Sequence, residues 1–177
     1  MEAHRSISTI ESIESTAQGR TAVWSRRAFL LVLTAFVLAG LLGLLGVHTT
    51  TTSSASGGWA ISVKHAAIAR AGLDVPWQVT VRHPGGFGDE ITLAVTGAYF
   101  DLFETQGLRP AASDETRGGE TWYLTFTAPP GDTFVVAYDA YVQPAAQRGG
   151  SGTVTVLDGG PEAAPVAAVH FRTRLLP

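Results

Sequence analysis

The sequence predicts an all-β exported domain, an immunoglobulin-like antiparallel β-sandwich of about seven strands, preceded by one transmembrane α-helix. Three observations carry this reading. Residues 28–47, AFLLVLTAFVLAGLLGLLGV, run 20 positions without a charge. From Trp59 onward, apolar residues recur at every second position, the period of a strand with one buried face. Between the alternating runs stand Gly- and Pro-rich breakers.

At 1.5 Å per residue, a helix over 28–47 is about 30 Å long, the thickness of a bilayer's hydrocarbon core. Only Thr34 in it is polar, and its hydroxyl can bond back to the preceding turn. Arg20, Arg26 and Arg27 precede the run, whereas the next basic residue after it is Lys64. Basic flanks stay cytoplasmic, so the N-terminus is expected inside and the C-terminal bulk outside the cell membrane. A retained signal-anchor is the expected state. The alternative is a cleaved export signal, because Ser25-Arg26-Arg27-Ala28-Phe29-Leu30 resembles the twin-arginine motif. Ala35, Ala39 and Gly43, spaced by four, form a candidate helix-pairing face, hence a possible homodimer through the membrane helix.

The flanks are low in complexity. Residues 1–27 repeat Ser, Glu and Ile with no amphipathic period and are expected to be a disordered cytoplasmic tail. Residues 48–58, His-Thr-Thr-Thr-Thr-Ser-Ser-Ala-Ser-Gly-Gly, are expected to be a flexible stalk whose hydroxyls could carry O-linked sugar. The exported domain is then 59–177.

Within it, an opening strand is expected near Ala60 to Lys64. Trp77, Val79 and Val81 alternate with Gln78 and Thr80, and Ile91, Leu93 and Val95 with Thr92 and Ala94. Trp122, Leu124 and Phe126 share a face, as do Phe134, Val136 and Tyr138 in the long run to Val142. Val154 and Val156, then Val169 and Phe171, complete the set. Breakers such as Pro84-Gly85-Gly86-Phe87 and Pro129-Pro130-Gly131-Asp132 separate the runs. The aromatic, acidic stretch from Ala98 to Glu104 breaks the alternation and is expected to be a short helical turn or a crossover between sheets.

Four stretches together carry a resemblance: Arg70-Ala71-Gly72-Leu73-Asp74-Val75-Pro76-Trp77, Pro84-Gly85-Gly86-Phe87, Pro129-Pro130-Gly131-Asp132 and Phe171-Arg172-Thr173. With the anchor ahead of them, they resemble uncharacterised actinobacterial single-pass membrane proteins. The resemblance implies architecture and no activity.

Composition narrows the chemistry. With 12 basic against 15 acidic residues there is no cationic surface suited to nucleic acid. No cysteine means no disulfide, no thiol nucleophile and no Cys-ligated metal. The five histidines have no metal-ligand spacing; His170 is expected on a solvated face with Arg172 and Arg174, and His83 in an ordinary loop. Gly149-Gly150-Ser151-Gly152-Thr153 lacks the second glycine of a nucleophile elbow, and Gly85-Gly86-Phe87-Gly88 lacks the Lys of a phosphate loop. No catalytic, cofactor-binding or metal residues are therefore assigned, and an enzyme is not expected. The expected function is a membrane-tethered interaction or scaffolding module with a protein partner in or near the membrane; a sensor coupled through helix pairing is the alternative. Candidate contact residues are Phe87, on its Gly-rich loop, and Tyr99, Phe100 and Phe103, because aromatics anchor interfaces. The competing reading makes these rings caps of the core.

Overall fold

A computed structural model describes residues 16–43, 46–104 and 107–176. Of the disordered tail expected over 1–27, residues 1–15 lie outside the described residues, and residues 16–27 are helical instead, because they continue the N-terminal end of the apolar helix. The chain divides into two units, Met1–Gly46 and Val47–Pro177.

In the first unit one helix, α1, covers Thr16–Leu41. It starts twelve residues before the expected boundary at 28 and ends before the apolar run does. The amide of Leu42 still bonds the Leu38 carbonyl at 2.9 Å, and Gly43 then takes a positive φ of 72°. A left-handed glycine at this point ends a helix by turning the chain away from its axis. Gly43 therefore lies past the helix, and of the expected pairing face only Ala35 and Ala39 are helical. The stretch Gly19–Leu41 is long and apolar enough to cross a membrane, with mean hydropathy 1.6 and none of it buried. Phe29, Leu31, Val32 and Phe36 each expose over 60% of their surface.

The second unit is built of strands. They are β1 (His48–Ser56), β2 (Trp59–Arg70), β3 (Asp74–Arg82), β4 (Glu90–Thr96), β5 (Phe103–Glu104), β6 (Leu108–Arg109), β7 (Asp114–Gly118), β8 (Thr121–Thr127), β9 (Thr133–Val142), β10 (Gly150–Leu157) and β11 (Pro165–Leu176). A single helical turn, α2 (Gly97–Phe100), follows β4. All seven expected strands are present, and the all-β class with one N-terminal helix holds. The pairing is more continuous than two separate antiparallel sheets: the order β5-β9-β3-β2-β11-β10-β4-β8-β7 forms one curled sheet. It is also mixed, because the end of β11 runs parallel to β2, with Arg174 opposite Ile68.

β2 makes the curl possible. Residues 60–64 pair with β3, whereas residues 68–70 pair with β11, so one strand serves both halves. The inward faces match the alternation read from the sequence. Val79 lies opposite Val136 and Trp77 opposite Tyr138 in one half; Leu93 faces Leu124 and Val154 faces Val169 in the other. Each of these side chains is buried, and burial of such apolar area is the main stabilising term.

The expected stalk is the clearest correction. Residues 48–56 are β1, paired along its length with β2 from His48 opposite Ile68 to Ser56 opposite Trp59. Gly57 and Gly58, with φ of 57° and 85°, form the two-residue loop between them. Tight hairpins of this kind need positive φ at the central residues, which glycine adopts without a steric cost. Thr and Ser at low complexity suggest a linker, but Thr is also a strand former, and here the Gly-Gly turn decides.

A buried polar network ties β1, β2, β11 and α2 together. The Tyr99 hydroxyl donates to Thr173 Oγ1 at 2.9 Å, and the Thr173 hydroxyl donates to the Ala66 carbonyl at 2.7 Å. His65 Nδ1 donates to that same carbonyl at 3.2 Å, leaving Nε2 to accept from the Thr52 hydroxyl at 3.3 Å. His65, Tyr99 and Thr173 are each at most 2% exposed. Burial holds the His65 pKa below its usual value, against the opposing effect of its bond to Ala66. Burial likewise pushes the Tyr99 phenol up to about 12, partly offset by Thr173.

Candidate binding cleft

After β4 the chain must pass from one half of the sheet to the edge of the other, and α2 makes that passage. Phe100 thereby drops between the halves. Its ring centre lies 5.0 Å from Trp77, 5.3 Å from Tyr138 and 5.3 Å from Trp122, with interplanar angles of 75° to 88°. These edge-to-face contacts suit the charge distribution of aromatic rings and fix their orientation. Tyr99 beside it turns inward, at 4.7 Å from Phe171.

Over this aromatic plug opens a cleft of about 460 Å³, within the usual range of ligand pockets. Phe100, Phe103, Trp122 and Tyr138 form its floor, and Asp101, Glu115, Arg117 and Gln143 its rim. Gln143 is oriented by donating its amide to the Phe103 carbonyl at 3.1 Å, and Tyr138 donates to the Glu104 carbonyl at 3.3 Å. The hairpin β7–β8 supplies the opposite wall. Its register places Arg117 directly across from Trp122, and the guanidinium carbon sits 5.2 Å from the indole centre. A cation over an aromatic face is held there electrostatically. Among the described residues the one ion pair is Arg109 with Asp139, at 2.6 Å. The rim charges of Asp101, Glu115 and Arg117 thus stand unpaired with one another, and all three residues are exposed.

The four aromatic candidates therefore separate. Phe100 and Phe103 reach the cleft, though both are buried, while Tyr99 is core. Phe87 is elsewhere, half-buried against Trp59 at 5.8 Å. For Tyr99, Phe100 and Phe103, the reading as rings that complete the core is the one the burial favours. Sequence reasoning missed Trp122 as a cleft residue, and with it Glu115, Arg117, Tyr138 and Gln143. A usable signal existed: Gly118-Gly119-Glu120-Thr121 separates Arg117 from Trp122, and its two-residue loop, Gly119-Glu120, has Gly119 at a φ of 60°.

The histidines fall into structural settings. His83 stacks on Trp59 at 4.1 Å and 6° while its Nδ1 donates to the Gly86 carbonyl at 2.7 Å. His170 faces outward with Arg172 and Arg174, as expected, and bonds Thr153 across the strands at 2.7 Å. Among the described residues no three His, Asp or Glu side chains are grouped to hold a metal. Comparison with protein-family models finds no match, and no curated protein matches the chain.

Proposed function

We propose that this chain is a membrane-tethered binding module, with α1 in the bilayer, the N-terminus cytoplasmic and the β-domain exported. The cleft carries the reading: a fixed aromatic floor, a rim of both charges and a volume sized for a few side chains suit a protein partner in or near the membrane. The unburied apolar surface of α1 supports the tether, since such a helix is costly in water and at home in lipid. Its continuous apolar helical run, 28–41, is only about 21 Å long. Spanning therefore draws on Thr21 to Trp24 and on Arg26 and Arg27 extending their heads to the interface. Basic residues ahead of the apolar run favour a cytoplasmic N-terminus.

The test is capture of crosslinked partners from intact membranes, comparing the native chain with Glu115→Lys and Arg117→Glu. Both positions are exposed, so folding should be preserved. Loss of the captured partner with an unchanged melting temperature is expected. Equal capture by both variants would remove the cleft from the function. Recovery of the chain in the soluble fraction after alkaline washing would remove the tether.

A further inference from the structure

β1 presents an edge that the rest of the molecule would ordinarily protect. Among the described residues its one hydrogen-bonded neighbour is β2, and no backbone hydrogen bond reaches Thr49 to Ser56 from the other side. An open strand edge is a row of unmet amide and carbonyl groups, and proteins usually blunt it with charge, proline or shortness. This domain does so elsewhere. β7 carries Asp114, Glu115 and Arg117 in five residues, and the far edge of β9 is covered by β5 and β6 of two residues each. By contrast, β1 is nine residues long and holds neither proline nor a carboxylate, lysine or arginine. Its exposed face is Thr49, Thr51, Ser53 and Ala55.

We infer that the free edge of β1 seats a second copy of this chain, the two β1 strands pairing antiparallel about a two-fold axis. An edge without charge or proline can pair with its own copy along its whole length, and a second copy brings an edge of the same length and composition. Self-pairing about Thr52 sets Thr51 against Ser53 and Thr50 against Ser54. Such hydroxyl pairs are among the favourable cross-strand combinations, and no like charges meet. A closed two-fold contact of this type uses the same patch on both copies. Pairing of one strand edge buries less than a standard interface, so confinement of the copies in one membrane supplies the effective concentration. To that extent the inference rests on the membrane-tethered reading, which alkaline extraction of the same membranes reports separately.

Because the chain has no cysteine, single replacements supply the only thiols. Full-length Thr49→Cys, Thr51→Cys, Ser53→Cys and Ala55→Cys are to be oxidised in membranes and the disulfide-linked dimer measured. The expected result is a yield that peaks within β1 and falls severalfold toward its ends. Adding Thr51→Lys to Ser53→Cys should lower the yield severalfold, as the two lysines stand diagonally across the edge and repel each other. Both side chains are exposed, so protease resistance of the domain should be kept. A flat or negligible yield along β1 would overturn the inference, as would loss of the pattern in Ala35→Leu/Ala39→Leu, which would assign the pairing to α1.

Discussion

Replacing Tyr99 by Phe removes one oxygen from the centre of the molecule and gives a signature that changes sign with pH. Below pH 10 the native hydroxyl donates to Thr173, whose own proton goes to the Ala66 carbonyl. The variant loses the first bond and keeps the second, so no buried donor is orphaned. The cost should be about 1 kcal/mol, the usual net value of one hydrogen bond. At high pH the linkage runs the other way. The folded phenol, pushed up to about 12 from 10.0 by burial, stays neutral while the unfolded one ionises. A folded pKa above the unfolded value gives stability that is complete below pH 10 and lost as pH rises toward 12. The native domain should therefore lose about 1.4 kcal/mol by pH 11 and about 2.3 kcal/mol by pH 12. The variant, with no phenol at 99, escapes this loss. Urea unfolding of both chains, followed by circular dichroism from pH 7 to 11.5, should show curves that cross near pH 11. Parallel curves with a constant offset would refute the assigned burial of the hydroxyl.

Three further outcomes follow from the same packing. His65, whose folded pKa is lowered, contributes stability that is present above pH 6.5 and lost as pH falls below it; His65→Phe should flatten the change in urea midpoint between pH 7.5 and 5, and an unchanged slope would count against a buried neutral ring. At Gly149 an added Cβ would strike the Thr173 carbonyl oxygen and come within 2.9 Å of Arg174 Cα, so Gly149→Ala should cost about 2 kcal/mol as an overpacked backbone contact; a melting temperature within 1 °C of native would contradict the close approach. Residues 47–177 should fold without α1, because the core cluster lies wholly within them, whereas 59–177, which leaves His65 without Thr52 and β2 without its neighbour, should be less stable by about 1–3 kcal/mol in urea unfolding.

What the sequence made legible was whatever depends on side-chain alternation. Trp77, Val79 and Val81, or Trp122, Leu124 and Phe126, declare their inward face through period two, because a strand buried on one side leaves no other arrangement. What it hid were strands with nothing to bury. β1 has only Thr, Ser, Ala and His, and all five residues of β7 are exposed, so alternation is silent in both. Their evidence is in the turns: Gly57-Gly58 and Gly119-Glu120 each close a two-residue hairpin onto a strand that was recognised. Those two hairpins settle where function is sought. The first converts a supposed spacer into a long uncharged sheet edge, and the second sets Arg117 across from Trp122 to wall the cleft. A hidden strand borrows its register from a legible neighbour, so a short glycine turn beside an alternating run specifies a partner strand even when composition suggests a linker.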